Sequence, residues 1–140
     1  MKKKNLALFI DGENVPAKES KRIFQTIDAL GELDYAKVYG IQKDMSTRAW
    51  SQQANDIPKL KDIRLSGGPN KNKVDRKIQE DITKELGTHK NIDIVVIATS
   101  DHGYVPVVKL ARNSGKRVVI IGNRATSKKL MNECNEFICL

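Results

Sequence analysis

At 140 residues the chain has the length of about one domain, enough to bury a real core and too short for two independent ones. Its 39% apolar and 30% charged residues are ordinary for a globular protein, and no apolar run approaches the roughly 20 residues that cross a bilayer, so no membrane span is expected. The formal charge of +8 speaks about partners rather than fold: it favours nucleic acid or an anionic surface, with a merely solubilising basic exterior as the plain alternative.

In chain order, Met1-Lys2-Lys3-Lys4-Asn5 carries the positive residues of a signal peptide, but the next apolar stretch is five residues long and reaches Asp11 with no small-residue cleavage site. A cytoplasmic protein is expected. Apolar, β-branched runs follow at about Asn5 to Ile10, Tyr35 to Ile41, Leu60 to Leu65, Ile92 to Ala98 and Arg117 to Ile121, with a shorter one at Glu136 to Cys139. Helical periodicity falls between them, at about Pro16 to Leu30, Thr47 to Ala54, Val74 to Leu86, Tyr104 to Asn113 and Ser127 to Cys134. Pro16 suits a first turn, and Gly31, Gly87 and Gly115 lie just past helix ends. No repeat, low-complexity stretch or linker interrupts the alternation, which predicts an α/β sandwich around a mostly parallel sheet. Cys134 and Cys139 form no C-x-x-C pair and have no histidine near them in sequence, so both are expected as reduced thiols.

The acidic residues recur at the ends and starts of these elements. Asp11 closes the first apolar run and Asp101 follows the fourth, so in a parallel sheet both fall on the rim of strand C-termini, where ligands bind. In the third helix, Val74, Ile78, Ile82 and Leu86 define a buried stripe that contains Asp75 at the N-terminal end; Asp81 lies near its margin, about 9 Å further along the axis. Mg²⁺ and Mn²⁺ take oxygen ligands and are often held by one or two carboxylates plus waters and substrate phosphates, so Asp11, Asp75 and Asp101 would suffice. Such an ion lowers the pKa of a bound water and neutralises charge on a phosphodiester. Taken singly, Asp11 before Gly12 reads equally as a turn residue, and Asp75 and Asp101 as helix caps; three separate elements converging on one rim is what caps do not explain.

Basic residues offer a path for a polyanion. Lys71, Lys73, Arg76 and Lys77 surround the helix start that presents Asp75, after a loop Ser66-Gly67-Gly68-Pro69-Asn70; Arg124 and Lys128-Lys129 belong to a presumed upper rim. A solvated charge run is the alternative. His102 is placed to contact a phosphate or transfer a proton, or else to sit exposed beside a cap, and His89 reads as a loop residue. Trp50, beside Arg48, would stack on a base if it lined a groove, but core packing or an oligomer contact is the stronger expectation; Tyr104 and Phe24 are assigned to packing. Other chemistries fail on spacing. Ser114-Gly115-Lys116-Arg117 lacks the upstream glycine and following Ser or Thr of a P-loop, Glu13 and Val15 break a haloacid-dehalogenase motif, Asp101-His102-Gly103 breaks an Asp-x-Asp metal motif, and neither histidine supports a Ser-His-Asp triad.

The segment Phe9-Ile10-Asp11-Gly12-Glu13-Asn14-Val15 resembles the opening motif of the NYN domain family (LabA-like proteins), part of the PIN-like nuclease superfold. Lys73-Val74-Asp75 with Asp81, Thr99-Ser100-Asp101 leading to Tyr104 and Pro106, and Gly115-Lys116-Arg117-Val118 before Gly122 extend the resemblance over essentially the whole chain. It implies a single three-layer α/β/α domain over residues 1–140, strand order 3-2-1-4-5, and a divalent-metal site that cleaves RNA. On this resemblance Asp11, Asp75 and Asp101 are metal ligands, Asn14 orients a metal-bound water or phosphate, and Asp81 matches a further acidic position. One departure is Gly103, where such families usually carry a second Asp. The expectation is a Mg²⁺- or Mn²⁺-dependent ribonuclease acting on single-stranded or structured RNA, with a homodimer left open. A non-catalytic RNA-binding or regulatory module with a degenerate metal site is the alternative, and a basic scaffold for a protein partner a third reading.

Overall fold

An unbroken apolar run cannot alternate between core and solvent, so a strand made of one must be covered on both faces. In the computed structural model, which describes residues 3–67, 72–88 and 91–140, this holds for strand β1 (Asn5–Asp11), where Leu6 to Ile10 are all buried, and for β4 (Ile94–Ala98). The other strands are β2 (Glu32–Ile41), β3 (Leu60–Leu65), β5 (Arg117–Gly122) and β6 (Glu136–Cys139). They form one parallel sheet in the order β3-β2-β1-β4-β5-β6. The expected order of the first five strands is present, and β6 extends the edge beyond β5.

The helices are α1 (Ser20–Leu30), α2 (Met45–Asp56), α3 (Lys73–Thr88), α4 (Val105–Asn113) and α5 (Lys128–Glu133), with 3₁₀ turns at Ala17–Glu19 and His102–Tyr104. Alternate residues of β1 feed two cores. Leu6, Leu8 and Ile10 pack with Ile23 and Ile27 of α1 and Trp50 of α2, while Ala7 and Phe9 pack with Val74, Ile78 and Ile82 of α3 and Val107 and Val108 of α4. This is the three-layer α/β/α sandwich. None of its helices is long and apolar enough to cross a membrane, among the described residues.

Element ends shift where pairing or capping overrides hydropathy. β2 starts at Glu32 rather than Tyr35, because Asn5 and Leu6 of β1 pair with Glu32 and Leu33. α2 starts at Met45 because the Asp44 side chain accepts from the Ser46 N–H at 3.1 Å, an N-cap. The Pro16 turn is 3₁₀, and the α-helix proper begins at Ser20. Trp50 is buried, its indole N–H donating to the Val15 carbonyl at 2.8 Å, so it has no face for a base. β1 lies between β2 and β4, and chain direction across the sheet reverses there. Ile10 pairs with Ala98, so the residues that leave β1 and β4, Asp11 and Thr99 to Asp101, emerge side by side on one rim.

Candidate active site

Asp11 is the last residue of β1 and only 2% exposed. Its Oδ2 accepts from Asn14 Nδ2 at 2.7 Å and from the Thr99 and Tyr104 hydroxyls at 3.3 Å each. Its Oδ1 is buried with no hydrogen-bond partner among the described residues, which is the rare and costly state for a carboxylate oxygen. Burial pushes the Asp11 pKa up, against the hydrogen bonds from Asn14 and Tyr104, which lower it. The turn that follows folds back because the Asn14 and Val15 N–H groups donate to the Asp11 carbonyl. Gly12 is required in it, since a Cβ there would stand 2.5 Å from the Tyr39 carbonyl oxygen.

Asp75 lies in the first turn of α3 and is half-buried. Gln79, one turn on, donates to Asp75 Oδ1 and, at 3.2 Å, to the Gly103 carbonyl, tying α3 to the turn that carries Asp101. Burial raises the Asp75 pKa, and the negative charge of Asp101 adds to the rise. Asp101 is an N-cap: its Oδ1 accepts from the Gly103 N–H at 3.0 Å, with His102 Nδ1 at 3.4 Å. It also lines the cleft, so cap and site are the same residue. A Cβ at Gly103 would stand 2.8 Å from Asp75 Oδ2 and 3.6 Å from Asp101 Oδ1. The missing side chain is what lets these two carboxylates close around the turn.

The cleft, about 320 Å³, is walled by Asp11, Glu13, Asn14, Asn72, Asp75 and Asp101. Glu13 adds a further acid, its pKa raised by burial and by the charges of Asp11 and Asp44. Among the described residues no group of three or more His, Cys, Asp or Glu side chains stands close enough together to hold a metal ion. Asp11, Asp75 and Asp101 thus share a cleft without forming a closed ligand cage.

Asp81 stands apart. Its Oδ2 accepts from the Tyr39 hydroxyl at 2.7 Å and its Oδ1 pairs with Lys77 Nζ at 3.2 Å, away from the cleft walls. Lys77 is therefore already paired, and Lys73 Nζ donates to the Ser66 carbonyl, closing its own loop. Arg76 is exposed on α3, His102 is exposed on the rim, and Arg124 is exposed in the loop after β5. Lys71, residues 68–70 and His89 lie outside the described residues. Of the groups at or behind the cleft, Asn72 and Gln79 went unremarked in the sequence, Glu13 and Thr99 entered only as members of motifs with no role assigned, and Tyr104 was read as packing. Gln79 carried a signal, its i,i+4 spacing from Asp75. Tyr104 carried none, because its hydroxyl meets Asp11 only through the β1–β4 adjacency.

The NYN domain model matches residues 5–140. The chain belongs to the NYN domain family. NYN domains are PIN-like and nuclease-type, which supports a nuclease- or RNA-related role for this domain. The domain is 31% identical over 123 residues to the uncharacterized protein MJ0482 of Methanocaldococcus jannaschii, covering 84% of this chain and 47% of that one. It thus spans about half the length of that curated relative. A solved protein of unknown function, VPA0982 from Vibrio parahaemolyticus, superposes with a TM-score of 0.75 at 19% identity, over 99% of this chain and 93% of that chain. MurG of Acinetobacter baumannii superposes at 0.50 with 15% identity, over 96% of this chain and 40% of its own. At such identities the likeness to both structures is one of fold alone.

Proposed function

We propose that this NYN domain, a single domain over residues 1–140, is a Mg²⁺- or Mn²⁺-dependent ribonuclease that hydrolyses RNA phosphodiester bonds. The observation that carries the reading is the buried, unpartnered Oδ1 of Asp11 at the wall of a cleft shared with Asp75, Asp101 and Glu13. An all-oxygen donor set of this kind fits a hard cation, which needs only one or two carboxylates when waters and phosphates complete its shell. Asp11, Asp75 and Asp101 would hold the ion partly through bound waters, since all three do not stand close enough to ligate it together. When bound, it supplies Lewis acidity to a water and to the phosphate.

The chain's own residues prepare that site. Thr99 and Tyr104 anchor Asp11 Oδ2, which keeps the side chain from turning its free oxygen away. Asn14 must point its amide nitrogen at the carboxylate, so its own carbonyl oxygen is left to face a water or substrate hydroxyl. Gln79 holds Asp75. Asp81, with both oxygens engaged, seats α3 rather than binding the ion. Arg76, His102 and Arg124 are exposed for contact with an RNA backbone. A cytoplasmic setting suits the unpaired thiols of Cys134 and Cys139.

A second reading, RNA binding without cleavage, is favoured by Gly103, which removes one acid from the family pattern. The two separate in one experiment. End-labelled single-stranded and hairpin RNAs are incubated with Mn²⁺, Mg²⁺ or EDTA, with Asp101→Asn in parallel. Metal-dependent cleavage lost in the variant is expected; salt-sensitive binding with no cleavage in any metal would establish the binding module. Independently of activity, Mn²⁺ should raise the melting temperature of the wild type and leave that of Asp11→Asn unmoved.

A further inference from the structure

A second pocket, about 140 Å³, adjoins the carboxylate cleft and shares Asn14 with it as a common wall. Smaller than the roughly 300 Å³ at which ordinary ligand pockets begin, it takes one ring rather than a whole nucleotide. Val15, Pro16, Gly122 and Leu140 make its apolar side, and Asn14, Glu19, Ser100 and Asn123 bring polar side chains to it. No lysine, arginine or histidine belongs to that lining, so a phosphate, negative and able only to accept, would be repelled by the Glu19 carboxylate. Glu19 is the acid that the metal reading leaves unused. Its Oε2 pairs with Arg22 Nη1 at 3.3 Å, its side chain is 20% exposed, and its Oε1 has no hydrogen-bond or ion-pair partner among the described residues.

Asn14 gives its Nδ2 to Asp11, which leaves Oδ1 to accept. Asn123 Oδ1 accepts from the Ala125 N–H at 2.8 Å, which leaves Nδ2 to donate. Ser100 and Thr126 share a hydroxyl contact at 3.0 Å whose proton can lie on either oxygen. A ligand in the pocket must therefore donate toward Glu19 or Asn14, accept from Asn123, and suit either sense of the Ser100–Thr126 pair. A sugar hydroxyl meets all three conditions, being donor and acceptor at once and free to rotate. A base edge, with its donors and acceptors fixed in place, lacks that freedom. We infer that this pocket holds the ribose of a nucleotide adjoining the scissile phosphate and that Glu19 reads its 2′-hydroxyl, which selects RNA over DNA. The inference rests on the ribonuclease reading above for its register: the wall shared through Asn14 sets sugar and phosphate beside each other on one strand. The 2′-hydroxyl is the group by which a protein tells the two nucleic acids apart at a given position. Deoxyribose has nothing there, and it would leave Glu19 Oε1 and Asn123 Nδ2 desolvated without a partner.

The test uses single-stranded RNAs of one sequence, each carrying a single 2′-deoxy nucleotide, stepped through the positions that flank the cut and cleaved with Mn²⁺. Wild type should cut about tenfold more slowly when the deoxy nucleotide occupies the pocket, the scale of one hydrogen bond to a charged group. Glu19→Ala should cut that substrate and the all-ribose RNA at equal rates. Glu19→Gln replaces the charged acceptor with a neutral one and should lower the ratio; it decides the matter if Glu19→Ala does not fold. A wild type indifferent to every single deoxy substitution, or a sensitivity that the folded Glu19 variants leave unchanged, overturns the subsite. No cleavage by wild type in any metal overturns the ribonuclease reading instead. Fluorescence anisotropy in EDTA then decides the pocket by itself. Tighter binding of oligouridylate than of oligodeoxyuridylate, equalised by Glu19→Ala, supports it; equal affinities in wild type, or a difference that survives in Glu19→Ala, overturn it.

Discussion

Helix α3 carries two aspartates six residues apart, and their surroundings are opposite in kind. Asp81 is matched on both oxygens, by the Tyr39 hydroxyl and by Lys77, and one turn further on Glu85 pairs with Lys37 at 3.7 Å, whose ammonium also lies over the Tyr35 ring. Among the described residues Asp75 has Gln79 but no ion-pair partner, and across the cleft one Asp11 oxygen has no hydrogen-bond partner. Burial raises the pKa of both Asp75 and Asp11. A carboxylate compensated by its own fold is an anchor. One that is desolvated and left short of partners costs stability, and such groups gather where a ligand makes up the difference.

Removing the uncompensated acid should have the largest effect. Asp11→Asn is expected to lower cleavage by about 100-fold or more, the scale on which one electrostatic stabiliser acts, as read from initial rates with Mn²⁺. The same variant should unfold at higher urea than wild type near neutral pH without metal, because it removes a buried charge. The sign with pH follows from the raised pKa. The folded protein holds the Asp11 proton above the ordinary value of 3.8, so this group favours folding most at low pH, and that contribution is lost as pH rises through its raised folded pKa. The stability gap between variant and wild type should accordingly shrink on acidification; a gap that widens would contradict the assignment.

The compensated acid should answer in the opposite way. Asp81→Ala leaves the Tyr39 hydroxyl and Lys77 without their partner and is expected to cost about 2 kcal/mol in urea unfolding, with no loss of the Mn²⁺-induced thermal shift. If the shift disappears in a folded Asp81→Ala protein, Asp81 belongs with the ligands after all. Gln79→Leu falls between the two: cleavage should drop by about tenfold, as when a partner that orients a metal ligand is lost, while the circular dichroism spectrum stays that of wild type. The smallest effect is expected at Arg124→Ala, which should reduce the dependence of log affinity on log salt by about one unit. An unchanged slope there would mean that the RNA backbone runs along α3 and Arg76 instead.

Much of this contrast was open to reading in the sequence, and part was closed to it. Asp75 falls inside the Val74, Ile78, Ile82 stripe, so its inward direction is written in helical periodicity alone. Asp81 lies near the margin of the same stripe; its i,i+4 spacing from Lys77 is local, and only the position of β2 under α3 shows that Tyr39 takes its other oxygen. Tyr104 looks like packing by any local criterion and is indeed buried, yet its hydroxyl reaches an aspartate 93 residues away. The cluster of Lys71, Lys73, Arg76 and Lys77 looks uniform as a run of letters; in the fold Lys73 closes its own loop and Lys77 serves Asp81, and Arg76 is the exposed one of the three described.

The sequence by itself determined the element types, the doubly covered central strands and the placing of Asp11 and Asp101 at strand ends, because each follows from periodicity and chain connectivity within a few dozen residues, whereas the order of the first five strands came only through the resemblance to the NYN family. The tertiary structure alone decided which acids are paired, how Gly103 admits Asp75 to the turn, where β6 docks, and that Asn14 is the wall between a carboxylate cleft and a second pocket. Those depend on which side chains meet across strands far apart in the chain, and a hydrogen bond spanning 93 residues leaves no local pattern to read.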